Sequence, residues 1–501
     1  MRSYTDYRDH LSRIADLGYA SAVLSWDQEC YMPPKGADQR SRQLSTLAGI
    51  GHELFTRPDF GELLEKLSKD SSLAPKEQRN IEQSLRDYRQ RKKYSREFVE
   101  VMSRTISEAF QAWQEAKEKN SFSIFAPKLG RLIELKQEEC EILGYEEHPY
   151  DALIDQYEPK TTAAEITELF SGVRKELLEF VKLITERPSP GDSFMYGKFS
   201  KEKQWEFGLE LLKQMGYDLE AGRQDLSSHP FTIHFGSQDV RVTTRVSADN
   251  LYEMIWSCIH EGGHALYEQG LPVSEYGAPC GEAISLGIHE SQSRLWENNI
   301  GRGMNYWKFN FPQLQQLFPE QLSSVSVESF YAAINRVKPS LIRTSADELT
   351  YHFHVMIRFE LEKALISREV RVKDLPAAWN EKYREYLGVE VPDDAQGVLQ
   401  DIHWSHGSFG YFPTYSLGSF YAAQFYHFAT KELKDLDNDL QTGNLKPMLN
   451  WLRDKIHQHG KFYSASGLCE SISGEKLNFK YFMNYARKKY GVLYKLESVI
   501  P

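Results

Sequence analysis

Two histidines four residues apart, with a glutamate directly after the first, stand at His260-Glu261-Gly262-Gly263-His264. On an α-helix, residues i and i+4 lie one turn apart on one face, so both imidazoles can reach a single metal ion. Glu261 can then reach a water held at an open coordination position. This H-E-x-x-H spacing is the working part of many zinc peptidases, and the chemistry it implies is peptide hydrolysis. Glycine inside a helix costs about 1 kcal/mol relative to alanine. Gly262 and Gly263 therefore point to a close approach of backbone or substrate beside the metal.

A catalytic zinc site takes three protein ligands and a water. Further on, the stretch from Gly281 to Trp296 reads as a second helix and offers Glu282, His289 and Glu290. His289 and Glu290 are adjacent, about 100° apart on a helix, so one of them faces the metal. A set of two histidines and a glutamate suits peptide hydrolysis, which favours Glu290. Spacing alone leaves His289 and Glu282 as alternatives.

The elements that must position these groups are legible in outline. Ser247 is a candidate helix cap, with Asp249 in the first turn. Leu251, Ile255, Ile259 and Leu266 recur at helical spacing, and Gly270 with Pro272 is a stop. The pattern predicts a metal helix of about six turns. Upstream, Phe231 to Phe235 and Val240 to Val246 alternate around Gly236-Ser237-Gln238-Asp239, which predicts a hairpin feeding that helix. An edge strand there could pair with an extended peptide, and Arg241 and Arg245 on its polar face could read a carboxylate. Elsewhere, three- and four-residue apolar spacing predicts helices over Ser41 to Leu54, Lys76 to Ala112, Ala163 to Ile184 and Lys201 to Met215. The Arg187-Pro188-Ser189-Pro190-Gly191-Asp192 loop is a candidate lobe boundary, near residues 187–193, within one 1–501 domain. The expected fold is mainly α-helical with one small sheet.

The H-E-G-G-H segment followed by His289-Glu290-Ser291-Gln292 resembles the carboxypeptidase Taq family of zinc metallocarboxypeptidases. Further segments match in order. They are Leu24-Ser25-Trp26-Asp27-Gln28-Glu29 with Tyr31-Met32-Pro33-Pro34, His229-Pro230-Phe231, Asp239-Val240-Arg241-Val242-Thr243, Ile342-Arg343-Thr344-Ser345-Ala346-Asp347, and Gly397-Val398-Leu399-Gln400-Asp401-Ile402-His403-Trp404. The resemblance runs from about residue 24 past Tyr415. It implies Glu290 as the third ligand, with His289 supporting a ligand or packing. It implies a neurolysin-like, two-lobed helical body with a deep central groove, and a homodimer. It also implies that His406, Tyr411 and Tyr415, in the segment His403 to Tyr415, stabilise the transition state. In some related helical zinc peptidases an acidic residue four positions past the third ligand orients a zinc histidine. Arg294 stands there in this chain, so the orienting group must come from elsewhere.

The expected reaction is release of C-terminal residues from short peptides. One Zn2+ per chain on His260, His264 and Glu290 would lower the pKa of its water to about 7. Glu261 would take that water's proton and deliver it to the leaving amine. The same ligands accept Co2+ or Mn2+. A free C-terminal carboxylate calls for a bidentate arginine, with Arg343 the first candidate and Arg241 the second. A local Arg343–Asp347 pair is the structural alternative. Asp401 and His403 carry no assigned role at this level. An endo-oligopeptidase or dipeptidyl carboxypeptidase on the same scaffold is the competing enzyme reading. A helical binding protein with a structural metal is the third, and Glu261 argues against it, because a closed structural site needs no base.

Composition sets the remaining bounds. The 501 residues are 41% hydrophobic and 26% charged, which suits a large soluble core. A net charge of −11 argues against nucleic-acid binding. The basic run of Arg86, Arg89, Arg91, Lys92, Lys93 and Arg96 reads as a solvated helix face. No apolar stretch is long enough to span a membrane, and the N-terminus lacks a signal-peptide pattern. Cys30, Cys140, Cys258, Cys280 and Cys469 show no paired spacing, which fits reduced thiols in the cytoplasm.

Overall fold

The apolar spacing is realised as helices along most of the chain, with one small sheet, in a computed structural model that describes residues 3–496. The chain folds as two compact units. The first is built from the described residues from Ser3 to Lys92, Gly191–Ile334 and Tyr421–Leu477. The second takes Lys93–Pro190, Asn335–Phe420 and the described residues from Asn478 to Leu496. Among the described residues, no helix is long and apolar enough to cross a membrane.

The first unit opens with helices Tyr4–Cys30 and Ala37–Thr56. Tyr7, Leu11, Phe55, Phe60, Leu64 and Ile81 form one of its apolar clusters. The expected single helix from Lys76 to Ala112 is two, Pro75–Arg91 and Arg96–Glu118. Ser95 interrupts them by capping the second, accepting a hydrogen bond from the Phe98 amide at 3.1 Å. One of the crossings between the two units falls at this joint, after Lys92, and another falls in the Arg187–Asp192 loop, after Pro190. The basic run around it is engaged locally, with Arg89 on Glu65 and Arg96 on Glu100. Helix Lys201–Met215 has the expected bounds, and Gly216 ends it in the left-handed conformation.

The sheet lies beside the metal helix, as expected, but has three strands. They are β1 (Gly222–Leu226), β2 (Thr232–His234) and β3 (Val240–Thr244), in the order β1-β3-β2. The hairpin is present, with Thr232 opposite Val242. β1 runs parallel to β3 and escapes the sequence pattern, because Gly222-Arg223-Gln224-Asp225-Leu226 has no apolar alternation. The arginine-bearing strand β3 is therefore central, and the edges are β1 and β2. Val240, Val242, Thr243 and Thr244 are all buried.

The metal helix runs Tyr252–Gly270, starting later than Ser247 suggested. The intervening residues pair with an extended stretch instead. Gly197 N donates to Asp249 O and Phe199 N to Ala248 O, each at 2.9 Å, and Leu251 N donates to Met195 O at 3.0 Å. The Ser247 hydroxyl is spent on the Asp249 carboxylate. The second ligand helix is shorter than its apolar pattern, Leu286–Arg294. Ser285 caps it, accepting from the Ile288 amide at 3.1 Å, and a π-helical turn, Leu295–Gly301, continues it. In the second unit, helix Tyr351–Ile366 is buried along nearly its whole length. Short 3-10 turns at Arg343–Ser345 and His403–His406 carry two of the sequence motifs, and helix Pro413–Glu432 begins just before Tyr415.

Candidate metal centre

His260 and His264 project from one face of the metal helix toward Glu290 on the second helix. One ligand atom from each of the three lies within 4.8 Å of the others. Glu290 Oε2 is 3.4 Å from His264 Nε2 and 3.8 Å from His260 Nε2. Two imidazole nitrogens and a carboxylate oxygen converging in a mostly buried place are the donors that a divalent transition metal takes. The electrostatics agree with that fit at His264 and Glu290, whereas at His260 burial is outweighed by Glu290 and Glu297, which raise its pKa. Burial, with His289 beside it, lowers His264 to about 3, so it stands as the neutral imidazole that a metal needs. Burial opposes the charge on Glu290, but Arg294 and His260 outweigh it and hold this carboxyl well below its usual range.

The helices meet closely because Gly263 has no side chain. A Cβ there would lie 2.7 Å from Ser293 Cα and 2.9 Å from Gln292 O, both backbone atoms of the second helix. Gly262 serves a different neighbour. Its missing Cβ would meet Leu212 and Met215 side chains of helix Lys201–Met215. The close approach expected at the glycine pair is thus between protein segments.

His260 and Glu290 are held from behind, the first by Glu297 and the second by Arg294. His260 Nδ1 lies 2.8 Å from Glu297 Oε2, which supplies the orienting carboxylate that the arginine at 294 displaced. Glu297 sits in the π-helical turn, seven residues past Glu290, and is held in turn by Arg302 at 3.1 Å. His289 does not join the three ligands. Its ring stacks on His264, with centroids 4.4 Å apart and 22° between planes. Its Nε2 is 2.8 Å from Glu268 Oε1, and Glu268 also faces His234 of β2 at 3.6 Å. Glu282 is likewise elsewhere, paired with Lys461.

Glu261 is buried beside the ligands, and burial raises its carboxyl above the ordinary range. The Thr232 hydroxyl of edge strand β2 donates to Glu261 Oε2 at 2.7 Å. Cys258 and Cys280 stay outside the centre. Burial pushes the Cys258 thiol up to about 12, and its sulfur lies near Gln224 and Thr244.

Arg241 is committed within the first unit. It pairs bidentately with Asp239 at 2.9 and 2.8 Å, and its guanidinium lies between the rings of Trp26 and Phe235. This contact ties Trp26, and with it helix Tyr4–Cys30, to the sheet. Arg245 is mostly exposed and reaches Glu253.

The second unit holds the other motif residues. Arg343 is buried and pairs with Asp401, not Asp347, with Nη2 to Oδ1 at 2.9 Å. Asp347 instead accepts from the amides of Lys338, Leu349 and Thr350. Asp401 is shared, because Arg358 Nε donates to its Oδ2 at 2.5 Å. Arg343 also donates to the Tyr351 hydroxyl at 2.9 Å and packs over the Tyr415 ring. His403 Nε2 is 3.1 Å from the Tyr415 hydroxyl. Burial, with Arg343 nearby, lowers His403 to about 3. His406 by contrast is exposed, its ring against Phe110. Tyr411 packs edge-on to Tyr157 and near Tyr415. Below this loop lies Glu362, buried, accepting from Tyr150 Oη at 2.5 Å, Trp404 Nε1 at 2.8 Å and Gly410 N at 2.9 Å.

Sequence reasoning missed Thr232, Glu268, Glu297, Arg358 and Glu362. Glu297 carried a signal: seven residues is two helical turns, which returns it to the face of Glu290. Thr232, Arg358 and Glu362 reach their partners through tertiary contacts and carried none.

The chain matches the family described as carboxypeptidase Taq (M32) metallopeptidase over residues 6–490. It is 41% identical to thermostable carboxypeptidase 1 of Thermus thermophilus, the alignment covering 98% of each chain. It is 39% identical to carboxypeptidase 1 of Bacillus subtilis, again over 98% of each. The solved structure of an M32 carboxypeptidase from Deinococcus radiodurans superposes with a TM-score of 0.96 at 37% identity, covering 97% of this chain and 98% of that one.

Proposed function

The chain belongs to the carboxypeptidase Taq (M32) metallopeptidase family, and from that premise we propose a zinc enzyme that removes single C-terminal residues from short peptides with broad side-chain tolerance. The observation that carries this reading is the convergence of His260, His264 and Glu290 beside a buried Glu261. Those three residues hold the metal. When bound, zinc supplies a Lewis acid for the scissile carbonyl and makes a water acidic enough to react near neutral pH.

The remaining chemistry belongs to side chains. The Thr232 hydroxyl holds the Glu261 carboxylate through Oε2, which supports Oε1 as the oxygen that faces the attacking water. Glu261 accepts the water's proton and passes it to the leaving nitrogen, and its raised pKa suits a group that must both take and release a proton. Glu297 fixes the His260 ring through Nδ1, and Glu268 fixes His289 against His264. In the second unit, Arg343 reads the substrate's terminal carboxylate, and Asp401 holds its guanidinium in place. Tyr415, tethered to His403, and Tyr411 donate to the developing oxyanion. His406 is the weakest member of that set, being exposed and packed on Phe110. A cytoplasmic homodimer is part of the same reading.

Metal analysis tests it. Purified protein is expected to carry one zinc per chain, and His264→Ala and Glu290→Ala to lose it. Zinc retained by both variants would contradict the assignment.

A further inference from the structure

An arginine inside a set of metal ligands calls for an explanation. Arg294 lies four residues past Glu290, on the same helix face, and is largely buried. Its Nε donates to Glu290 Oε1 at 2.6 Å. The other carboxylate oxygen, Oε2, is the one that faces His264 Nε2 and His260 Nε2. Arg294 Nη1 reaches Glu297 Oε2 at 3.3 Å, the same atom that orients His260. One planar guanidinium therefore spans the ligand carboxylate and the carboxylate behind a ligand imidazole. A lysine, with a single donor nitrogen, lacks the fork for both.

A glutamate can give a metal one oxygen or two. Two would fill coordination space that a catalytic site keeps for water or substrate carbonyl. We infer that Arg294 is a positioning residue that sets this choice: by holding Oε1, it restricts Glu290 to a single ligand oxygen and keeps one coordination position open. Glu297 does not depend on Arg294 alone, because Arg302 also holds it. Removing Arg294 therefore acts chiefly on Glu290. The Ser293 hydroxyl donates to the Glu290 carbonyl oxygen at 2.8 Å, its shorter contact, and is 3.2 Å from Oε2, so it does not compete with Arg294 for Oε1.

This inference rests on the reading that His260, His264 and Glu290 hold the metal. The test is a crystal structure and X-ray absorption of the zinc-loaded wild type and of Arg294→Met, with cobalt-substituted visible spectra of both and of Arg294→Lys. In the wild type one Glu290 oxygen is expected at about 2.0–2.2 Å from zinc, with Oε1 left on Arg294. Arg294→Met is expected to gain one oxygen neighbour at the metal and a weaker cobalt absorption. Its kcat is expected to fall at least about tenfold at full zinc occupancy. Arg294→Lys, which keeps a donor for Oε1, is expected to retain the wild-type cobalt spectrum. A wild-type structure with both Glu290 oxygens bonded to zinc overturns the inference alone, whatever the variants do. So does an unchanged metal environment in Arg294→Met. Zinc absent from the three ligands overturns the reading beneath it as well.

Discussion

Glu297 Oε2 lies 2.8 Å from His260 Nδ1. That contact turns the other ring nitrogen, Nε2, toward Glu290, and it comes from a π-helical turn seven residues beyond the ligand. The carboxylate behind His260 thus stands seven residues past Glu290, and the place four residues past it is taken by a cation.

Weakening this contact is expected to loosen the metal. Glu297→Gln keeps the shape but removes the charge that fixes the His260 tautomer. Metal affinity should fall about 10–100-fold. Competition with a chelator, monitored by zinc release, measures it. Unchanged affinity would mean that the contact does not tune the ligand.

The two glycines of the motif should respond differently to alanine. At Gly263 the new Cβ strikes backbone, which cannot move without separating the ligand helices. Overpacking costs about 1–3 kcal/mol, against the roughly 1 kcal/mol that alanine contributes to a helix. Gly263→Ala is therefore expected to lower the urea midpoint and weaken zinc uptake. Gly262→Ala meets the ends of Leu212 and Met215 side chains, which can shift, so its net effect should stay within about 1 kcal/mol. Equal losses at both positions would refute the distinction.

Asp401 pairs with two buried guanidiniums at once, Arg343 and Arg358. Burial opposes its charge, but the two arginines hold its carboxyl far below the usual range. Asp401→Asn leaves both cations undercompensated and is expected to cost about 3–5 kcal/mol. Urea denaturation should show a marked fall in midpoint, and a near-wild-type curve would show that the arginines find other partners.

Glu362 gives a pH signature. Burial raises its carboxyl from 4.5 to about 7, although Tyr150, Gly410 and Trp404 donate to it. The folded state then binds this proton more tightly than the unfolded chain. Its contribution to stability is greatest below about pH 4.5, falls as pH rises toward 7, and levels off above. The difference in Tm between wild type and Glu362→Gln should change across that window. A difference constant in pH would show that Glu362 does not titrate there.

The sequence revealed what is periodic and local. The H-E-x-x-H spacing placed His260 and His264 on one helix face, and the apolar stripe located that helix apart from its first turn. The hairpin was legible because β2 and β3 alternate, while β1 was hidden because its residues do not. Helix starts failed where a serine had another partner, as Ser247 does with Asp249. The third ligand was narrowed by chemistry to Glu290 over His289, but only the fold shows His289 stacked on His264 and bound to Glu268. Arg343 was read as the carboxylate reader, with a local Asp347 pair as the alternative; its partner in the fold is Asp401, 58 residues away and beyond any local pattern.

The central claim is that Glu261 moves the proton at a metal held by its neighbours. It is tested most directly by assaying an N-blocked short peptide, with free and with amidated C-terminus, against wild type and Glu261→Gln, each confirmed to hold one zinc. The account predicts release of the last residue by wild type, only from the free C-terminus, and a loss of at least about 100-fold in kcat for Glu261→Gln with zinc retained. A zinc-loaded Glu261→Gln with wild-type turnover would contradict it, and cleavage that ignores amidation would contradict the terminal-carboxylate role given to Arg343.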